Sequence, residues 1–433
     1  MKRYFPPCIF LLLLLSYFTA CFSAISEEEN NTKSGGETTV SEHNGPLILA
    51  HYMPWYRGPS NISEENSLSS YGGHWTNWNR LNPTQAVNGK ARIFANQYPL
   101  TGPYHCGNTD LLEYQASLMK IAGIDGVIFD WYGSYASHDF GENHEYTKAM
   151  AAVLKKAGLK FLVCYEDNTL NMMGESGERA DNIGKISFDW AQDNWFKTNE
   201  YIRYENRPLV LCFGPQHFNT KTRWNTVFSG VEPKPYFVDL DNRYEWADAS
   251  YNWFGLSGGV TIDKIGITNR LNSFYNSRQK NLPYRLATVY SAFDDAYDTH
   301  YGFIDYDNGA VFDLTWKSIA AFNPQIIQIA TWNDYGEGTI IEPTMERGYR
   351  ELEYIQDRIQ EWDSSFAFTK EDLRWPLEFY RLRYAQTASS AQETAIKAAT
   401  AALFNGNASK FHDEAVKTGA LVDINNLKPM LRL

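Results

Sequence analysis

Eight short apolar runs recur along the chain, at 47–51, 126–130, 160–165, 208–213, 236–240, 251–254, 285–290 and 326–332. Runs such as Gly126-Val127-Ile128-Phe129 are apolar at successive rather than alternate positions, which suits a parallel strand covered on both faces. Between the first two runs, Leu111, Leu112, Leu118, Met119 and Ala122 fall on one helical face. Asn108 or Thr109 stands where a cap is wanted, Asp110 and Glu113 lie in the first turn, and Gly123 follows as a left-handed stop. Met150, Val153, Leu154 and Ala157 repeat the stripe, and Gly158 ends it. Helix, glycine, a few residues, then a buried strand is the order of a βα unit. Eight such strands predict an α/β fold, a (β/α)8 barrel over 46–385 with elaborated loops on its C-terminal face. The segments 61–107 and 291–309 are too long for tight loops and belong to that elaboration. From Arg350 the pattern is helical, giving the last barrel helix and then a helical tail over 386–433, with an alanine-rich stretch at 391–403.

The ends of the chain change the picture. Lys2 and Arg3 precede an almost wholly apolar stretch with five consecutive leucines, Leu11 to Leu15. It is shorter than the ~20 residues a bilayer-spanning helix needs, so it reads as an export signal. The stretch closes on Phe18-Thr19-Ala20-Cys21, which looks like a bacterial lipobox with Cys21 as the lipidated first residue of the mature protein. The alternative is ordinary cleavage near Ala20 or Ala24. Residues 22–45 are acidic and poor in apolar side chains, which predicts a flexible tether. The expected location is therefore a bacterial membrane, at the outer membrane, with contact through the lipid alone and the protein a monomer.

Composition narrows the partners. The net charge is −12, with no basic patch to neutralise phosphates, so nucleic acid is excluded as a partner. Aromatics make up 15 %, including 13 Trp and 28 Tyr, and such rings can stack on the apolar faces of sugars while their polar edges stay wet. Beyond the export segment only Cys106, Cys164 and Cys212 remain, an odd and widely spaced set that is neither a disulfide framework nor a zinc pattern. Buried free thiols are expected, and no metal or cofactor. No G-x-G-x-x-G follows any strand, which removes the motif a nucleotide-dependent enzyme would carry.

Unusual polar residues gather where the strands end. These clusters are His51-Tyr52-Met53-Pro54-Trp55, Asp130-Trp131-Tyr132, Tyr165-Glu166-Asp167, Asp239-Leu240-Asp241 and Trp332-Asn333-Asp334-Tyr335-Gly336-Glu337. In a barrel all C-terminal strand ends meet at one mouth, where active sites are built. Asp334 and Glu337 are the best carboxylate pair, since the glycine-containing turn after the eighth run lets both face the mouth. Such a pair suits glycosidic bond cleavage, in which one acid protonates the leaving oxygen and the other assists at the sugar. Asp130 and Glu166 compete for those roles. Asp294, in Phe293-Asp294-Asp295, is placed to reach the mouth, and His74, Trp75 and Trp78 in the first long loop are candidate outer sugar platforms. Glu342 reads as structural.

The same blocks carry a family resemblance. His51-Tyr52-Met53-Pro54-Trp55, the run from Ala122 to Gly133 and Tyr165-Glu166-Asp167 resemble glycoside hydrolase family 99, the endo-α-mannosidases and endo-α-mannanases. Trp332-Asn333-Asp334-Tyr335-Gly336-Glu337-Gly338-Thr339 with Ile341-Glu342-Pro343 resembles that family and equally family 71, the α-1,3-glucanases. The likeness runs in order from about Pro46 to Pro343. It implies an endo-acting hydrolase of an α-linked oligo- or polysaccharide, with Asp334 and Glu337 as the catalytic pair and Glu166 on the sugar at the cleavage subsite. Tyr52, Trp55, Asp130, Trp131, Tyr132 and Asn333 are then subsite residues.

One position departs: family 99 has glutamate at both members of the pair, and here the first is Asp334. In an α-mannoside O2 is trans to the leaving oxygen, so a base on O2 can drive displacement from the back. In an α-glucoside O2 is cis and that route is closed. A base one methylene shorter is withdrawn by about an ångström, a misplacement that can cost ~100-fold, or it leaves room for a water. Mannan and glucan both stay open on the sequence, and a catalytically inactive glycan-binding lipoprotein is the alternative.

Overall fold

In the computed structural model the eight apolar runs become eight parallel strands: β1 (Leu47–Tyr52), β2 (Gly126–Trp131), β3 (Lys160–Tyr165), β4 (Arg207–Cys212), β5 (Tyr236–Leu240), β6 (Ala249–Tyr251), β7 (Leu286–Val289) and β8 (Ile326–Ile329). The structure describes residues 38–41, 43–254, 256, 260–297 and 301–420; Cys21 and the leader lie outside them. The strands follow the order β7-β8-β1-β2-β3-β4-β5-β6, so the sheet curls into the expected (β/α)8 barrel.

No ladder joins β6 to β7. Side chains span that seam instead: Thr288 Oγ1 and Gln328 Nε2 both donate to the carbonyl of Asn252, at 2.8 and 2.9 Å. All three residues are buried, so these bonds satisfy groups that water cannot reach.

Two strands end three residues short of their apolar runs. The sixth run, placed at 251–254, is a strand only over Ala249–Tyr251, where Ala249 pairs with Val238 and Tyr251 with Leu240. Beyond it the chain serves the seam. The eighth run stops at Ile329 because the amide of Thr331 turns to the carbonyl of Thr339 and that of Trp332 to His51. Residues 330–332 are buried, but as part of a turn.

Helices α1 (Thr109–Ala122), α2 (Phe140–Ala157), α3 (Gly177–Asn194) and α4 (Lys221–Val227) follow β1 to β4 in turn. Asn108 caps α1 by accepting from Leu111 N, and Gly123 and Gly158 end α1 and α2 at φ of 80° and 68°. Eight residues, 241–248, replace a helix between β5 and β6. α5 (Lys264–Tyr275) follows β6, α6 (Ala310–Ser318) follows β7, and α7 (Arg350–Trp362) follows β8. No described helix is long and apolar enough to cross a membrane.

α8 (Trp375–Tyr384), α9 (Ser390–Phe404) and α10 (Ala408–Val416) complete the chain to residue 420. A capping box between Ser389 and Gln392 starts α9. Ile396, Leu403 and Phe411 are fully buried, and Arg383 on α8 ties Glu113 of α1 to Glu393 of α9 at 2.7 and 2.9 Å. The other end of the barrel domain also begins earlier than composition suggests. Thr38, Thr39 and His43, assigned to the tether, are bonded to the barrel: Thr38 Oγ1 accepts from Glu205 N at 3.0 Å, Thr39 exchanges bonds with Arg203, and His43 Nε2 meets Asp125 Oδ2 at 3.1 Å. A backbone bond and a buried His–Asp contact hold polar residues that hydropathy alone leaves free.

Candidate active site

Strand alternation decides what reaches the mouth. On β2, Asp130 lines a cavity of about 150 Å³, and so does Tyr132 just past the strand end; Trp131 between them points back, its Nε1 donating to His144 Nδ1 at 3.2 Å. On β1, His51 and the following Met53 line it, whereas Tyr52 points outward and donates to Gln115 Oε1 of α1 at 2.7 Å. On β3, Cys164 and then Glu166 line it while Tyr165 packs against Phe188 of α3. Trp55, Phe213 and Trp253 complete the aromatic walls, and Asp334 and Glu337 come from the turn after β8.

Of the expected site residues, Trp55, Asp130, Tyr132, Glu166, Asp334 and Glu337 therefore converge. Tyr52, Trp131 and Asn333 do not. Asn333 is fully buried and clamps the β1 loop, its Oδ1 accepting from Met53 N at 2.8 Å and its Nδ2 donating to Met53 O at 3.0 Å. Asp294 sits at the rim, its carboxylate 3.4 Å from Gln97 Nε2. Phe213, Trp253, Asp295 and Tyr297 were not singled out in the sequence, apart from Asp295 as the neighbour of Asp294.

The turn that carries the pair is shaped by its surroundings. Thr331 Oγ1 receives the amide of Asp334 at 2.8 Å, and Asp334 Oδ1 receives the amide of Glu337 at 3.0 Å. The β7 loop lies alongside, with Asp294 N donating to Glu337 O and Ala296 N to Gly336 O, both at 2.8 Å. Two glycines permit this approach. A Cβ on Gly336 would fall inside the Tyr297 ring, and Gly338, at φ 67°, would push one to 2.8 Å from the Asp294 carbonyl oxygen.

Behind the turn, Glu342 is buried and accepts from Gln115 Nε2 (2.7 Å), Tyr104 OH (2.9 Å) and Tyr335 OH (2.9 Å), which is the structural role expected of it.

The electrostatics follow from gathering acids. Among the described residues no Lys or Arg lines the cavity, and among the acids that do, the charge of Arg243 opposes the upward shift of Glu166 alone. Burial raises Asp130 to about 8, with the charge of Asp334 adding to it. Burial raises Asp334 to about 7, and bonds from the amides of Glu337 and Gly336 oppose the rise. Glu337 is pushed well above the ordinary carboxylate range by burial and then by Asp334, Asp295 and Asp130, with no bond to its ionised form in opposition. Burial and the neighbouring Asp130 and Asp167 also raise Glu166, which is held by Asn168 N (3.3 Å) and Gln216 Nε2 (3.2 Å). Both members of the pair are thus raised, and only Asp334 has amides that favour its charged form, which inclines Asp334 towards the base and Glu337 towards the acid.

Cys106, Cys164 and Cys212 are buried free thiols. Among the described residues no cluster of His, Cys, Asp or Glu suits a metal.

No family model matches the chain, and no curated protein does. Solved structures do. A family 99 endo-α-mannosidase from Bacteroides thetaiotaomicron, in complex with bis-tris propane, superposes with a TM-score of 0.54 at 17 % identity, over 81 % of this chain and 100 % of that one. A second structure of the endo-α-mannosidase from that organism gives 0.55 at 16 % identity, over 76 % and 100 %. A glycoside hydrolase-like protein gives 0.51 at 14 %, over 75 % and 97 %. The chain therefore has a family 99-like fold, the (β/α)8 barrel of the endo-α-mannosidases.

Proposed function

We propose that the protein is a glycoside hydrolase that cuts an α-linked glycan within its chain, and that the glycan is an α-mannan. The observation that carries this is the unequal pair. One acid, half-buried at the cavity, has no donor to favour its charged form; the other, three residues away, is held by amides that do. That is the division of labour a glycosidase needs. The aromatic walls supply stacking surfaces, and the likeness in fold to endo-α-mannosidases supports the choice of sugar.

In this reading Glu337 protonates the leaving glycosidic oxygen. Asp334 takes the proton of O2, and O2 displaces the leaving group from the back to close a three-membered ring. Water then opens that ring at the anomeric carbon. Glu337 takes the water's proton and Asp334 returns its own to O2, so both acids are restored and the configuration is retained. Glu166 and Asp130 hold sugar hydroxyls.

A second reading has its own observation. Asp334 is a methylene shorter than glutamate, and the Glu337 amide holds it close to its own turn. A water between Asp334 and the sugar would then be the nucleophile, giving inversion on an α-1,3-glucan.

Proton NMR of products from α-mannan and α-1,3-glucan separates the cases. The α-anomer appearing first from mannan supports the first reading, and the β-anomer first from glucan supports the second. Tight binding of fragments without release from either polymer would make the protein a glycan-binding one.

We further propose that the barrel is exported and anchored at a bacterial outer membrane through a lipid on Cys21. Lys2, Arg3, the leucine run and the Thr19-Ala20-Cys21 ending support this. Incorporation of labelled palmitate that survives C21S would refute it.

A further inference from the structure

The first long loop carries three aromatic residues whose surroundings differ. Trp75 is fully buried, with Nε1 donating to the Tyr104 carbonyl at 2.8 Å, so it anchors the loop. His74 is buried too. Its ring stacks on Trp55 of the cavity wall, with centroids 4.2 Å apart and planes 12° apart, and its Nδ1 lies 2.7 Å from Tyr297 OH. For these two, packing against the rest of the protein is the whole explanation.

Trp78 is different. It is 56 % exposed, yet its ring continues the ladder outward, 4.7 Å from His74 and 6.3 Å from Tyr297. Tyr297 in turn covers Gly336, beside Glu337. An indole in water thus stands one aromatic layer beyond the cavity wall, with Tyr297 between it and the turn that carries the proposed acid.

The backbone holds it there at a cost. Asn77, Trp78 and Asn79 have φ of 45°, 51° and 68°, three consecutive left-handed residues without a glycine. That conformation is costly for each side chain, most of all a bulky one. The bonds that form the turn are made by other groups: Trp78 N to Gly73 O (3.0 Å), Asn79 N to Thr76 Oγ1 (2.9 Å) and Leu81 N to Thr76 O (3.1 Å). Nothing in the turn requires an indole, and glycine would relieve it. A strained, exposed tryptophan tied by rings to a reactive cavity fits a partner that presents a flat, partly apolar face.

We propose that Trp78 is the stacking platform of an outer sugar subsite, which grips a neutral pyranose of the same glycan chain beyond the units held in the cavity. This rests on the hydrolase reading and deepens it: the substrate is a chain long enough to reach from Asp334 and Glu337 to Trp78. The capture is by contact, so no bond is made or broken there.

W78A and W78F test it on α-linked oligosaccharides of increasing length. Losing one stacking partner should lower the long-to-short ratio of kcat/KM about tenfold, through KM, with W78F restoring most of it. An equal loss at every length, or none at any, would overturn the platform. If the wild-type protein cuts none of these glycans, the hydrolase reading fails by itself. Calorimetric titration of the same series then still decides on Trp78: affinity for the longer members about tenfold weaker in W78A supports the platform, and unchanged affinity refutes it.

Discussion

The backbone amide of Glu337 donates to Oδ1 of Asp334 across 3.0 Å, so two carboxyls on one turn are electrically unequal. A carboxylate that accepts an amide is stabilised in its charged form, while Glu337 is raised by burial and by the charges of Asp334, Asp295 and Asp130. Asp334 must be ionised to act as base and Glu337 protonated to act as acid. The rate should therefore rise with pH as Asp334 ionises, near 7, and fall again as Glu337 loses its proton. Asp295 is one of the groups that raise Asp334. D295N should shift the acid limb of kcat/KM to lower pH, and an unmoved limb would assign that limb to another group.

E337Q and D334N should both lose about 10²- to 10⁴-fold in kcat with the fold intact by circular dichroism. An activated leaving group needs no proton, so E337Q should recover on an aryl α-glycoside of a strongly acidic phenol, whereas D334N should not. Recovery of both, or of neither, would break the assignment of roles.

Most of the barrel was legible because its strands are buried on both faces, and the glycines at 123 and 158 stop helices where the apolar stripes end. The site was legible only at the level of clusters. Contiguous groups such as Asp130-Trp131-Tyr132 were taken whole, while the pleat sends Asp130 and Tyr132 to the cavity and Trp131 to α2 and α3. Tyr52 fails in the same way, and parity along the strand would have found both. Asn333 had no such signal: its role depends on meeting Met53, 280 residues earlier, through a loop whose path the sequence does not contain. The seam at Asn252, Thr288 and Gln328 was hidden for that reason too.

Gathering acids should also weaken the fold as pH rises. Asp130, Asp334 and Glu342 have folded values of about 8, 7 and 7, all raised from the ordinary carboxylate range. Below about 6.5 the buried histidines His51, His74 and His144, held low by burial, oppose them; above it those rings are neutral in both states, the acids alone bind extra protons in the native state, and stability falls with rising pH. Thermal melts should show Tm dropping from pH 7 to 9. D130N removes one of these groups and should melt above the wild type at pH 9 while its activity falls. A Tm that climbs over that interval would contradict the sign.

Substituting Gly336 should injure the site while sparing the barrel. Its Cβ would enter the Tyr297 ring, so in G336A that ring must leave its place beside His74 and the turn. The shift acts on Glu337 directly, and about an ångström of misplacement can cost ~100-fold in kcat. Because Tyr297 is part of the mouth and not of the strand ladder, Tm should change little. A normal kcat in G336A would mean that the turn tolerates the shift and that Tyr297 does not position the acid.

Asn333→Ala should do the reverse, damaging stability and site together. The side chain satisfies both the amide and the carbonyl of Met53, and its Nδ2 also reaches Tyr104 OH at 3.2 Å. Alanine leaves the buried amide of Met53 without its acceptor, a loss of about 1–3 kcal/mol, while Tyr104 OH keeps Glu342 and the Met53 carbonyl keeps the Cys106 thiol. Met53 and Trp55 line the cavity, so freeing the β1 loop should also raise KM. Asn333 touches neither acid's carboxyl in the bonds it makes, so the pH profile should keep its shape. Chemical denaturation together with kcat/KM against pH checks both halves. Lost stability with an unchanged profile marks Asn333 as a positioning residue, whereas a displaced acid limb at unchanged stability would return it to the substrate-binding role its place in the sequence suggests.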